Sequence, residues 1–176
     1  MNYLYHQVPE KIEGSFLMPL NMLRFNHRSV YETEMKKYEN RPNLPHKVIP
    51  HFNCLWNDVL HLTAVHPVLI DNALKECGSE KGLNNKKWYK IRTDFLYPDC
   101  TIVWLYPRKV DEQNGPNAFV PFKISDLEGY NSIKEDTKKY YREQIKLKNK
   151  PLLFHLVPHI LYYDQIPINK LEIMEI

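Results

Sequence analysis

The stretch DVLHLTAVHPVLIDNALKECG, residues 58–78, constrains the fold more than any other part of the chain. Val59, His61, Thr63 and Val65 fall on one face of a strand, with Leu60, Leu62 and Ala64 on the other. Pro67 suits the first turn of a helix, where its missing N–H leaves no hydrogen bond unmade. Leu69, Ile70, Ala73, Leu74 and Cys77 then recur at helical spacing until Gly78 ends the run. The polar residues around this unit, Asn53, Asn57, Asp58, His61 and His66, sit among apolar neighbours. A buried polar group without a partner costs free energy, so each is either a satisfied fixture or part of a site wall. On a helix Asp58 and His61 would meet; on a strand they point apart. The strand reading therefore removes a catalytic triad, and neither Cys54 nor Thr63 stands in a recognisable nucleophile setting.

The other elements follow from the same periodicities. YLYHQV, residues 3–8, reads as a first strand ended by Pro9. Ser29 and Glu32 have capping-box spacing at the head of SVYETEMKKYEN, which places Tyr31, Met35 and Tyr38 on one helical face. RPNLPHKVIP, residues 41–50, is an irregular connector by its three prolines. WYKIRT, TIVWLY and AFVPF read as strands, TIVWLY as a central one, and PRKVDEQNGP as a loop. Ser132 and Glu135 predict a second capping box opening the helix SIKEDTKKYYREQIKLK. PLLFHLV, HILYYDQIPI and LEIMEI are strand-like. This mixed order predicts one domain over residues 1–176, of α+β class, with mixed, largely antiparallel sheets and three or four helices.

Several chemistries lack their material. The chain has five glycines and neither a GxGxxG nor a P-loop pattern. Its formal charge of +3 is too small to imply nucleic-acid binding without a local basic surface. One such surface is the helix over 132–148, where Lys138, Lys139 and Arg142 stand beside Tyr140 and Tyr141. It could grip nucleic acid or an acidic protein without catalysis, or simply be a solvated face with its tyrosines turned inward. His155 and His159 are four apart, with His61 or His66 as a third ligand, but Pro158 opposes the helix that such a metal site needs, and no metal is expected. Cys54, Cys77 and Cys100 form no CxxC pair and read as free thiols of a reducing compartment. No apolar run has membrane length, and MNYLYHQVPE is unlike a signal peptide, so no membrane contact and a cytoplasmic setting are expected, with a secreted effector or toxin left open.

Both termini carry a family likeness. YLYHQVP, residues 3–9, resembles the first strand of histidine-type ADP-ribosyltransferases. FHLVPHILYYDQIPINKLEIMEI, residues 154–176, resembles the closing strands of DNA-targeting mono-ADP-ribosyltransferase toxins and of RNA 2′-phosphotransferases. The resemblance implies two facing sheets split by a central cleft that holds NAD as cofactor or nucleotide ligand, with a nucleic acid or protein accepting ADP-ribose. It places His6 on a ribose, and Tyr5, Asn57, Asp58 and His61 with it in the cofactor wall. Tyr89, Tyr97 and Tyr106 are the candidates for stacking on nicotinamide. The family usually sets a glutamate near the closing strands; here His159 occupies that place, and no glutamate follows until Glu172. The catalytic assignments thus fall on His6 and His159, and three outcomes are open: another catalytic residue, phosphate transfer, or binding alone. The assignment requires the first and closing strands to lie side by side, so that both imidazoles border one groove.

Overall fold

Leu4 and Tyr5 are buried in the opening segment, and their flanks turn toward solvent or cavities, as a strand at the border of two cores requires. In the computed structural model, which describes residues 2–176, this strand is β1 (Tyr3–Gln7). There follow β2 (Phe16–Leu17) and two abutting helices, α1 (Leu20–Asn26) and α2 (Arg28–Met35). A small hairpin, β3 (Val48–Ile49) and β4 (Cys54–Leu55), leads through a tight turn at Trp56–Asp58 into β5 (Leu60–Leu62) and α3 (Pro67–Glu76). Next come β6 (Lys87–Arg92), β7 (Thr101–Trp104), β8 (Phe119–Pro121) and α4 (Glu135–Lys146). The chain closes with β9 (His159–Tyr162), β10 (Ile166–Pro167) and β11 (Glu172–Glu175).

Two antiparallel sheets organise these pieces, one in the order β1-β6-β11 and one in the order β5-β9-β7-β8; β2 with β10 and β3 with β4 form separate pairs. The sheets touch where Tyr5 N–H donates to Thr63 O (2.8 Å) and Thr63 N–H to Tyr5 O (3.0 Å). His6 follows this bridge directly, and His61 lies two residues before it. Leu4, Leu62, Tyr89, Ile91, Val103 and Ile160 pack in one core. Trp88 and Val65 join Ile70 and Leu74 of α3 and Tyr141 of α4 in a second, and Tyr38, Ile49, Trp56, Ile102, Trp104 and Leu161 form a third. Each such fully buried side chain contributes roughly 1.5–3 kcal/mol of transfer free energy. The class is thus mixed α+β with antiparallel sheets and four α-helices among the described residues. Among these residues no helix is long and apolar enough to cross a membrane.

The helix expected after Pro67 forms, with Ile70, Ala73, Leu74 and Cys77 buried as expected but Leu69 turned to solvent. Gly78 takes φ +98°, its N–H donates to Lys75 O and that of Ser79 to Leu74 O, a Schellman closure. The other expectations are corrected in four places. Neither capping box closes. Helix α2 begins at Arg28, so Ser29 lies inside it and donates to Glu13 instead (3.2 Å). Helix α4 begins at Glu135, beyond the reach of Ser132, and Glu135 pairs with Arg142. PLLFHLV forms no strand, because α4 takes its backbone groups: Tyr140 OH accepts from Leu152 N–H (3.2 Å), Tyr141 OH donates to Leu153 O, and Thr137 Oγ1 donates to His155 O (3.0 Å). Finally, the first and closing strands are not neighbours, since β6 separates β1 from β11, and β5 separates β1 from β9.

Candidate functional site

The polar residues around β5 divide into fixtures and site. Asp58 holds the Trp56–Asp58 turn by accepting from Leu55 N–H (2.7 Å) and ties it to α1 by accepting from Asn21 Nδ2 (2.7 Å). His66 caps α3, its Nδ1 accepting from Val68 N–H (3.2 Å), and packs its ring edge-on against Tyr5. Asn53 occupies the left-handed turn of the hairpin at φ +49°. These three are structural. His61 differs: its Nε2 lies 2.8 Å from Trp56 O, and because a carbonyl only accepts, Nε2 carries the proton and Nδ1 is a bare acceptor, buried and without a partner.

His61 is the middle of three histidines. Its ring centroid is 5.9 Å from that of His159 and 4.3 Å from Trp56. His159 lies in turn against Trp104 (5.3 Å) and Tyr106 (5.9 Å). Burial pushes His6 and His159 down to about 4. Burial first, and the neighbouring His159 second, hold His61 well below the ordinary imidazole value. All three are therefore neutral at pH 7. Buried polar atoms without partners concentrate here: His6 Nδ1, Asn57 Oδ1, His61 Nδ1, Tyr89 OH and His159 Nε2 are five of the six among the described residues, the other being Trp88 Nε1.

Two cavities meet this row. The smaller, about 110 Å³, has His6, Asn57, His61 and Tyr89 in its wall, with apolar cover from Leu20, Val30 and Val59. The larger, about 1060 Å³, has His159, Trp56, Trp104 and Tyr106 in its wall, together with Arg41 and Lys47. Its size reaches the upper end of ligand-site volumes. Lys47 Nζ sits over the rings of Trp104 (3.7 Å) and Trp56 (4.9 Å), and burial lowers its pKa to about 8, so it is predominantly charged at pH 7. Its one hydrogen bond among the described residues is to Gln113 O (3.3 Å). Arg41 donates to Lys37 O (3.1 Å) and lies over Tyr38. Neither cation has an acidic partner among the described residues, and no Asp or Glu is among the residues lining this cavity.

His155 and Tyr106 complete the wall. Tyr106 takes φ +51°, an outlier for an aromatic residue, and this stacks its ring on Trp104 (4.3 Å) and brings its hydroxyl 3.3 Å from His155 Nδ1. His155 stacks in turn on Tyr140 (3.8 Å). Helix α4 thus holds residues 152–155 with three side chains, Thr137, Tyr140 and Tyr141, the ring of Tyr140 also stacking on His155.

The structure separates the two imidazoles proposed as catalytic: His6 lines the smaller cavity, His159 the larger, and His61 stands between them. Of the expected cofactor wall, His6, His61 and Asn57 come together, whereas Tyr5 packs in the core with Val65 and Trp88, and Asp58 serves its turn. Of the three stacking candidates, Tyr106 faces the larger cavity, Tyr89 the smaller, and Tyr97 is 63% exposed beside a third. The basic helix spends much of its charge locally: Lys138 pairs with Glu76 (2.6 Å) and Arg142 with Glu135, while Lys139 is exposed. Among the described residues no three His, Cys, Asp or Glu side chains are grouped to hold a metal ion. Arg41, Lys47, Trp56 and Trp104 were not legible as site residues, since an irregular connector and a buried strand bring them together without any sequence period. In comparisons with known proteins, no family model, no curated protein and no solved structure matches the chain.

Proposed function

We propose that the chain is an ADP-ribosyltransferase-like protein whose larger cavity binds NAD or a related nucleotide. The observation that carries this reading is the wall of that cavity: two cations without acidic partners among the described residues, Arg41 and Lys47, beside the rings of Trp56, Trp104 and Tyr106. Phosphate calls for the first and a base for the second. His159 supplies a neutral imidazole whose Nε2 has no hydrogen-bond partner among the described residues. The ribose contact that the resemblance assigns to His6 does not carry over to this cavity, since His6 lines the smaller one. Transfer to a nucleic acid or protein acceptor would follow from the resemblance alone, and the residue at the carboxylate's place is His159.

Thermal shift and calorimetric titration with NAD and ADP-ribose test the reading. A ligand that binds the native state raises the melting temperature, and Lys47→Met and Arg41→Gln should each remove most of that rise. A melting temperature unmoved by millimolar nucleotide refutes it.

A further inference from the structure

Resting on that reading of the larger cavity, we infer that its nucleotide is a fully anionic one, ADP-ribose or a reduced dinucleotide, held without cleavage, rather than NAD⁺ poised for transfer. Cleaving the bond between ribose C1′ and the nicotinamide nitrogen sends the electron pair to the ring and leaves positive charge on the sugar. An enzyme accelerates such a step by placing negative charge where the positive charge develops, as paired carboxylates do in glycoside hydrolysis. The wall of the larger cavity offers the opposite sign. Arg41 and Lys47 are its charged side chains. The smaller cavity does not repair this. Glu13 in its wall is held by Lys11 (2.9 Å) and hydrogen-bonded to Ser29 (3.2 Å), and Glu34 by Lys37 (3.3 Å).

The same field sorts ligands before any reaction. NAD⁺ and its reduced form share both phosphates and both riboses and differ by the pyridinium charge. Two like charges roughly 8 Å apart at an effective dielectric of about 20 repel enough to weaken binding about thirtyfold, and salt reduces that toward about fivefold. The neutral imidazoles of His61 and His159 do not offset it. ADP-ribose, which lacks the pyridinium, should group with the reduced dinucleotide.

Calorimetric titration of the full chain with ADP-ribose, NADH and NAD⁺ at low and physiological salt tests the inference, with nicotinamide release from NAD⁺ followed by chromatography. The expected result is NADH and ADP-ribose binding at least about fivefold tighter than NAD⁺, a gap that narrows with salt and closes in Lys47→Met, and no release of nicotinamide above buffer. Arg41→Gln gives the same comparison if Lys47→Met fails to fold. NAD⁺ binding as tightly as NADH, or nicotinamide release that His159→Ala abolishes, overturns the inference and leaves the nucleotide site standing. Binding of none of the three overturns the site itself.

Discussion

Acidification should unfold this protein through its histidines before its carboxylates. His6 and His159 have folded pKa values of about 4, against an ordinary 6.5, because burial disfavours the imidazolium. Their folded values lie below their unfolded ones, so the unfolded chain binds the extra protons. The stability they contribute is complete above pH 6.5 and is lost as the pH falls through 4. The fall from 6.5 to about 4 is worth about 3 kcal/mol for each group, an upper figure because both rings keep some access to a cavity. Between those limits the slope is about 1.4 kcal/mol per pH unit per histidine, or close to 3 for the pair. His61, His66 and His155 are lowered by burial as well and add in the same direction. Against a typical total of about 5–15 kcal/mol, the protein should lose a large part of its stability between pH 6.5 and 4.5. Urea denaturation at half-unit pH intervals measures this, with His6→Asn and His159→Gln flattening the curve in that window. A midpoint that stays level from pH 7 to 4.5, or one that falls equally in the double variant, would refute the burial argument.

Three other outcomes follow from local contacts. Gly82 has φ +53°, and an added Cβ would lie 2.1 Å from Asp71 Oδ1, which also accepts from Leu83 N–H, so Gly82→Ala should cost about 1–3 kcal/mol in thermal melts while Gly129→Ala, in open space, is neutral. Tyr141→Phe removes the donor to Leu153 O and should cost about 1–2 kcal/mol, and it should speed amide exchange across residues 151–157 more than in β7. Cys54 and Cys77 are buried with raised thiol pKa, burial being the main cause, so both should react with a thiol reagent far more slowly in the native state than in urea.

Much of the scaffold was legible because its residues repeat. Leu69, Ile70, Ala73 and Leu74 between Pro67 and Gly78 left one solution for α3, and WYKIRT and TIVWLY became β6 and β7 because their apolar residues, Trp88, Ile91, Ile102 and Val103, are buried. The capping boxes failed for a reason that spacing cannot carry. Ser29 and Glu135 met stronger partners in Glu13 and Arg142, and each helix begins where its own packing sets it. PLLFHLV had strand composition, but its hydrogen bonds went to two tyrosines and a threonine of α4 that lie 12 to 18 residues earlier in sequence.

The site was legible in its histidines and in Asn57, Tyr89 and Tyr106 but not in its cations, and the reason lies in how it is assembled. His6, His61 and His159 come from β1, β5 and β9, and each is conspicuous because an imidazole in an apolar strand asks for a partner. Which cavity each one faces depends on where the sheets separate, and a single backbone bridge between Tyr5 and Thr63 decides that. Once β5 stands between β1 and β9, His6 and His159 must fall on different sides of His61, whatever the composition of their own strands. The charge that distinguishes the larger cavity comes from the connector at 41–50. There three prolines limit regular structure to one tight turn and the two-residue β3, and Arg41 and Lys47 lie against Tyr38 and Trp104. The strands thus supply neutral acceptors and the connector supplies cations, so the electrostatic character of the site belongs to the segment that a periodic reading passes over. Exchanging Lys47 should alter what the cavity prefers while the fold stays intact, whereas exchanging Thr63 or Tyr5 disturbs the junction that separates the two cavities.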